Sequence, residues 1–386
     1  MPRQSVFALW AYPFRVFFLS TAAAALVLVP LWIGLRLHGS PQHQLAALLW
    51  HQHEMTVGLL NAAIAGFLLT AVCNWTRTPP LAGGRLLALW ALWLGGRLAP
   101  LLPAACQPLA LGLDLAFLPV VAAIMAQRVI SAGQLRQLGP VAVLALLWAL
   151  DLSFHLYQQP QMLHALLLAA TVLMLVIGGR ITPAFTANWL QRQGGSTTTL
   201  RRSVWLDRLG ILAALAVLAA QLLLARGWLP AALGAVTALV TLVRLAGWRS
   251  MAIRREPLLW VLHFGHLWIV VGYALWALAR LPTPLVTDNA WLHALGTGAM
   301  ATLILGVITR VSMGHTGRPL QLLPGMVWGY WALQGAALVR VLAALGLLPW
   351  LAGISTAAAL WTLAWALLLW RYAPVLWSPR ADGRPG

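Results

Sequence analysis

A dozen long apolar runs, broken by turns rich in proline and glycine, constrain this chain more than any other feature of it. A run of about 18 to 24 residues crosses roughly 30 Å of hydrocarbon at about 1.5 Å per residue, and amides immersed in lipid must pair within their own segment. The runs are therefore expected as transmembrane helices over 16–37, 45–73, 81–99, 108–130, 138–158, 162–181, 206–225, 229–247, 257–279, 289–311, 326–347 and 349–371. Only 8% of residues are charged, against roughly 25% in soluble domains. The loops leave no room for a soluble domain. The expected fold class is all-α, a polytopic membrane protein of about twelve transmembrane helices forming a single integral membrane domain over 1–386, with a short tail from 372.

The basic residues test that partition. All 25 are arginine, against seven acids, for a formal charge of +18. In a soluble chain such a balance would suggest nucleic acid. Here arginines are expected on cytoplasmic loops, facing anionic headgroups of the lipid bilayer. With the N-terminus and every second loop assigned to one side, that side holds 20 of the 25, Arg3 among them, and the other keeps Arg36, Arg97, Arg226, Arg280 and Arg340. One helix more or fewer would destroy the split, so both termini are expected in the cytoplasm. The first apolar run exceeds a signal-peptide core and is read as a retained helix. Cys73 and Cys106 fall at opposite membrane faces and are not expected to pair.

The one long polar connection, 183–207, contains Gln191 to Thr199 and divides the helices six and six. A second periodicity competes with that division. His53, His164 and His293 open helices 2, 6 and 10, each followed by Gly and then Thr toward the inner end (Gly66/Thr70, Gly178/Thr182, Gly306/Thr309). His53 and His293 match further, with Gly58, Gly66 and Pro79 spaced as Gly298, Gly306 and Pro319 are. Three four-helix arcs would produce such a repeat, and so would the frequency of Gly and Thr in membrane helices.

Ionisable groups inside apolar runs are costly, tend to face the bundle interior and mark functional sites. The stretch Trp50 to Met55 carries His51, His53 and Glu54 into the second run. On a helix His51 and His53 lie about 200° apart, so they address different surroundings, whereas His51 and Glu54 share a face. A metal ligand fits, and so does an interfacial histidine beside a belt tryptophan. Asp151 and His155 stand at i, i+4, which suits a carboxylate orienting a ligating imidazole or a pair tying two helices. His263 and His266, at i, i+3, suit a transition metal, axial haem ligation or a proton path. His293 lies on a face thinned by Gly296 and Gly298, open to a flat macrocycle or a neighbouring helix. His51, His53, His155, His164 and His293 all fall within roughly the outer 10 Å, and this shared depth is the main argument for a metal or cofactor. Arg340, well inside a run, would meet a haem propionate or snorkel to the interface. The turn Thr309 to Pro319, with His315, is dense in Gly and Arg and could cradle an anion, although no strand precedes it.

Taken together, several stretches resemble the NnrS family: WHQHEM with its continuation AAIAGFLLTAVCNWTRTPPLAG, GGRITPAFTANWL, LHALGTGAMATLILGVITRVSMGHTGRPL, the opening YPFRVFFL and the LHFG of helix 9. The resemblance spans nearly the whole chain. It implies a twelve-helix bacterial inner-membrane protein that contains haem and copper and acts in nitric oxide metabolism or relief of nitrosative stress. Nitric oxide or an iron-nitrosyl species would be its ligand. Carried onto motif positions, it implies ligands among His51, His53, Glu54, His155, His263, His293 and His315. For haem the candidates are His51, His53, His263 and His293, with Arg340 from the reading above; for the metal they are His51, His53, Glu54, His155 and His293. His266 stands where an aromatic is expected in relatives.

Three functions stay open at this point. A haem–copper protein that binds or turns over nitric oxide would use neutral imidazoles for both metals. A transporter of a metal, haem or small solute would use the same histidines as relay or transit sites, and twelve helices around a mid-chain loop are a common carrier layout. A redox enzyme laid out like the haem–copper oxidases and nitric oxide reductases would have histidines on helices 2, 6 and 10, but helix 7, Leu206 to Ala225, offers none for copper.

Overall fold

Every expected apolar run is helical. The computed structural model describes residues 8–38, 41–98, 102–194 and 200–384, with backbone alone at 41–45 and 104. Arg3 and the run Gly195 to Thr199 lie outside the described residues. The helices are α1 Pro13–His38, α2 (Pro41–His53, a π-helical stretch Glu54–Leu59, then Leu60–Thr76), α3 Gly83–Leu98, α4 Gln107–Ser131, α5 Leu138–Tyr157 and α6 Pro160–Arg192. They continue as α7 Val204–Leu223, α8 Trp228–Ala246, α9 Pro257–Ala279, α10 (Asp288–His293, a π-helical stretch Ala294–Met300, then Ala301–His315), α11 Met326–Ala344 and α12 Trp350–Trp377. No strand occurs among the described residues.

Ten of these helices are long and apolar enough to cross a membrane; α3 and α11 fall outside the ten. With 16 residues α3 extends only about 24 Å. Two boundaries differ clearly from expectation: α12, expected to stop at 371, runs through Pro374 to Trp377, and α6 overruns by more. The helix expected to stop at residue 181 continues through Pro183 to Arg192, because a proline removes a single backbone bond and does not by itself end a helix. The polar connection therefore begins at Gln193.

The chain forms two compact units: Met1–Leu163 with Ile308–Gln321 and Trp365–Gly386, and His164–Val307 with Leu322–Ala364. In the first, α1 packs on α2, α2 and α3 on α4, and α4 on α5. Phe14 N donates to Thr70 Oγ1 at 3.1 Å, and the rings of Phe17 and Phe18 close over Gly66, where a methyl group would collide with them. The buried Arg15 donates to the carbonyls of Leu376 and Ser378, both at 2.7 Å. The tail is held onto the turn after α10 by Arg380 Nη1 donating to His315 O and by Ala381 N donating to Thr316 O.

In the second unit α8 packs on α7 and α9, and α10 on α9 and α11. A side-chain chain locks the last three: Trp268 Nε1 donates to Gln334 Oε1 at 2.8 Å, and Gln334 Nε2 to Thr302 Oγ1 at 2.9 Å. Buried arginines are met by acids, Arg244 by Asp207 and Arg280 by Asp288, each at 2.8 Å.

Candidate functional site

Short connections make α2 to α5 run alternately up and down. The start of α2, the end of α3, the start of α4 and the end of α5 therefore meet at one end of the first unit. Each delivers a polar side chain there. From α2 come His53 and Glu54, from α3 Arg97, from α4 Asp114, and from α5 Asp151 and His155.

His53 is the centre of the group. Its Nε2 lies 3.1 Å from Asp151 Oδ1 and 3.2 Å from Asp114 Oδ2, and its Nδ1 lies 3.6 Å from Glu54 Oε1. His155 turns its own Nε2 toward the same two oxygens, at 3.5 Å from Asp114 Oδ2 and 3.6 Å from Asp151 Oδ1. These separations exceed good hydrogen-bond range, and the His155 Nε2 has no hydrogen-bond partner although it is buried. Arg97 closes the outer side, with Nη1 on Glu54 Oε1 at 2.6 Å and Nη2 on Asp114 Oδ1. Water has least access to the α2 and α5 carboxylates and most to His155: side-chain exposure is 2% at Asp151, 3% at Glu54, 9% at His53 and Asp114, 11% at Arg97 and 21% at His155.

Two imidazole nitrogens and two carboxylate oxygens, all within 4.8 Å of one another, form a group that could hold a metal ion. A tetrahedral site with bonds of roughly 2.0–2.2 Å sets its donors about 3.3–3.6 Å apart. The four imidazole–carboxylate separations here run from 3.1 to 3.6 Å. Four of the six donor separations thus already match, or nearly match, the edges of such a tetrahedron. The donor set, nitrogen and oxygen without sulfur, suits a divalent first-row ion. Glu54 stands 3.6 Å from the second ring nitrogen of His53, the place from which a carboxylate orients a ligating imidazole.

The π-helical stretch starts directly after His53. Within it Gly58 O accepts from Trp93 Nε1 of α3 at 2.9 Å. Gly58 is packed so closely by Glu54 and Arg97 that a side chain there would push the guanidinium off its two acids. The same backbone device recurs in the second unit, where a π-helical stretch follows His293 directly. π turns of this kind are frequent at functional sites.

The residues expected from sequence separate as follows. His53 and His155 are donors in the group, and Glu54 adjoins it. His51 points elsewhere on α2, stacking on Trp32 of α1 with ring centroids 4.4 Å apart, as the 200° offset requires. Glu54, expected on the same face as His51, turns to Arg97. His315 lies in the first unit against the Phe14 ring, with centroids 5.5 Å apart, and is not part of the group; the other candidates belong to the second unit. His293 has Nδ1 2.8 Å from Asn289 O, which directs Nε2 outward from the helix. Arg340 is buried on α11, one turn before Ala344, whose carbonyl accepts from Thr287 at the start of α10. Gly298 does not thin the His293 face for a macrocycle, because the Trp268 indole occupies that space; Gly296 has nothing closer than Leu167 at 4.0 Å. His164 meets Trp291 edge-on, with centroids 5.7 Å apart.

His263 is engaged on both nitrogens, Nδ1 with Ser250 Oγ at 2.8 Å and Nε2 with Thr186 Oγ1 at 3.0 Å. Thr186 spends its own hydrogen on Thr182 O, so His263 must donate from Nε2 and accept from Ser250 at Nδ1. That array ends on a carbonyl and ties α6 to α9. His266, with no exposed surface, contacts Thr182 Oγ1 at 3.3 Å and stands edge-on to Trp248. Cys73 and Cys106 are both free thiols.

Asp114 and Arg97 are the members of the site that sequence reasoning passed over. The signal was present: Asp114 is one of only seven acids and sits inside an apolar run, where a carboxylate needs a partner.

With ten membrane-length helices, no strand and a largely buried imidazole–carboxylate group among the described residues, this is a multi-pass membrane protein with a candidate metal site. The NnrS protein family matches residues 8–380, nearly the whole length, and the chain belongs to that family. Membership makes it a membrane protein related to nitric oxide. A search among curated proteins returned no match.

Proposed function

We propose that this chain is a haem- and copper-binding protein of a bacterial inner membrane that acts in nitric oxide metabolism or protection against nitrosative stress. The observation that carries the copper half is the spacing of His53 Nε2, Asp114 Oδ2, Asp151 Oδ1 and His155 Nε2 in a largely buried group open only at His155. These four side chains hold the ion. Glu54 fixes the ring of His53, and Arg97 fixes Glu54 and Asp114. A bound copper ion supplies a Lewis-acidic, one-electron centre within reach of a small apolar gas dissolved in the bilayer.

For haem, His293 is the best-oriented candidate in the second unit. A backbone carbonyl on Nδ1 is the usual partner of an imidazole that ligates through Nε2. Arg340, on the α11 face that meets the start of α10, supplies a buried cation for a propionate. His263 is set aside because both of its nitrogens are committed to hydroxyls. The arginine distribution supports cytoplasmic termini.

The test is cofactor analysis of detergent-purified protein from cells replete in haem and copper. Wild type should show a Soret band and near-stoichiometric copper. His53→Ala and His155→Ala should lose copper and keep haem, and His293→Ala should do the reverse. A colourless, metal-free wild type would remove the reading. Substrate flux through proteoliposomes of cofactor-free protein would put a carrier in its place.

A further inference from the structure

The charges around the four donors do not balance among themselves. Three of the seven acids in a strongly basic chain, Glu54, Asp114 and Asp151, meet here around a single guanidinium. With the acids ionised and the imidazoles neutral, as ligation requires, the sum is −2. A buried charge is tolerated only when it is paired, so this site calls for two positive charges. We infer that the site selects a divalent ion over a monovalent one, and that Arg97 and Glu54, neither of them a donor, set that preference through their charges. The inference rests on the metal-site reading above and deepens it.

The consequence for copper is specific. Reduction of Cu2+ to Cu+ by one electron leaves the same protein charge around a smaller ionic charge, so one negative charge stays uncompensated out of water. Carboxylate oxygens are also poor partners for the softer Cu+. The site should hold Cu2+ and Zn2+ well and Cu+ poorly.

Glu54 and Arg97 are joined by their ion pair, and this makes a structural role separable from an electrostatic one. Breaking the pair from either side would disturb the site in the same direction if the pair only props up His53 and Asp114. Charge acts in opposite directions. Arg97→Gln moves the sum to −3, and Glu54→Gln moves it to −1. The double variant Glu54→Gln/Arg97→Gln returns it to −2 with the pair absent.

The experiment measures Cu2+ and Cu+ affinities of the purified full-length protein by competition with chromophoric chelators of each ion. The ratio of Cu2+ to Cu+ affinity should rise by about tenfold or more in Arg97→Gln, fall by about tenfold or more in Glu54→Gln, and lie within about threefold of wild type in the double variant. If Arg97→Gln does not accumulate, Glu54→Gln against the double variant remains decisive, since neither leaves an arginine-free pair of acids on α2 and α4. Same-direction shifts in the two single variants, or a double variant that fails to return, would overturn the inference. A wild type that binds neither ion would instead sink the metal-site reading beneath it.

Discussion

Two glycines of the α10 π-helical stretch, two residues apart, should respond oppositely to the same substitution. At Gly298 an added methyl carbon would lie 2.7 Å from both Cε3 and Cγ of Trp268, inside contact distance of a rigid ring. Forcing that fit costs roughly 1–3 kcal/mol. A displaced indole would also weaken its hydrogen bond to Gln334, worth about 0.5–1.5 kcal/mol. Against this stands the gain of about 0.5–1 kcal/mol from replacing a helical glycine with alanine. Gly298→Ala should therefore lose about 1–3 kcal/mol net. At Gly296 the nearest atom is 4.0 Å away, so Gly296→Ala keeps the propensity gain alone, about 0.5–1 kcal/mol of stabilisation. Reversible unfolding in mixed detergent–SDS micelles, followed by circular dichroism, measures both. A neutral Gly298→Ala, or a Gly296→Ala that loses as much, would refute the account of how Trp268 is seated.

Three further outcomes follow. Arg97→Met leaves Glu54 and Asp114 buried without their cation and should cost about 3–5 kcal/mol in the same assay, with part of the loss recovered by adding Glu54→Gln. Trp93→Phe keeps the aromatic volume but strips the donor from Gly58 O; about 1–3 kcal/mol should be lost, and a silent substitution would show that the π-helical carbonyl finds another partner. At the exposed tail, the Arg380 guanidinium holds the Asp382 carboxyl down at about 2, below its ordinary 3.8. Because the folded value is depressed, this pairing is complete above about pH 4 and is lost as pH falls through about 2. The carboxyl carbon resonance of Asp382 should titrate there and return toward 3.8 in Arg380→Gln or in high salt; titration near 4 in wild type would exclude the pairing.

The helices were legible because hydrophobic length is nearly the only requirement a bilayer imposes, and the helical offset of His51 from His53 followed from geometry alone. Asp151 and His155 were legible for the same reason, as neighbours one turn apart. The partners that complete the site were not, since Arg97 and Asp114 come from two further helices and no periodicity within one helix tells which residues of another it will face. Arg97 was counted only as one of the few arginines opposite the termini, when its two carboxylate partners make it part of the site. Motif resemblance drew attention to His263, whose hydroxyl neighbours Ser250 and Thr186 lie 13 and 77 positions away in sequence. The π-helical stretches left no trace in composition beyond a glycine five residues after each histidine.

The extra width of the stretch Glu54–Leu59 has a mechanical meaning for α2 as a whole. One residue advances an ordinary helix by about 100°, and the wide turn absorbs about one residue, so uniform winding of this same sequence through Glu54–Leu59 would swing everything beyond it by about that angle, whereas deleting one position there would keep the register. Wound uniformly, Thr70 would leave the amide of Phe14, and Gly66 would leave the phenylalanine rings, while His53 stayed with its carboxylates. The wide turn works as a phase shifter, letting one rod keep two appointments on different sides that uniform winding could not honour together.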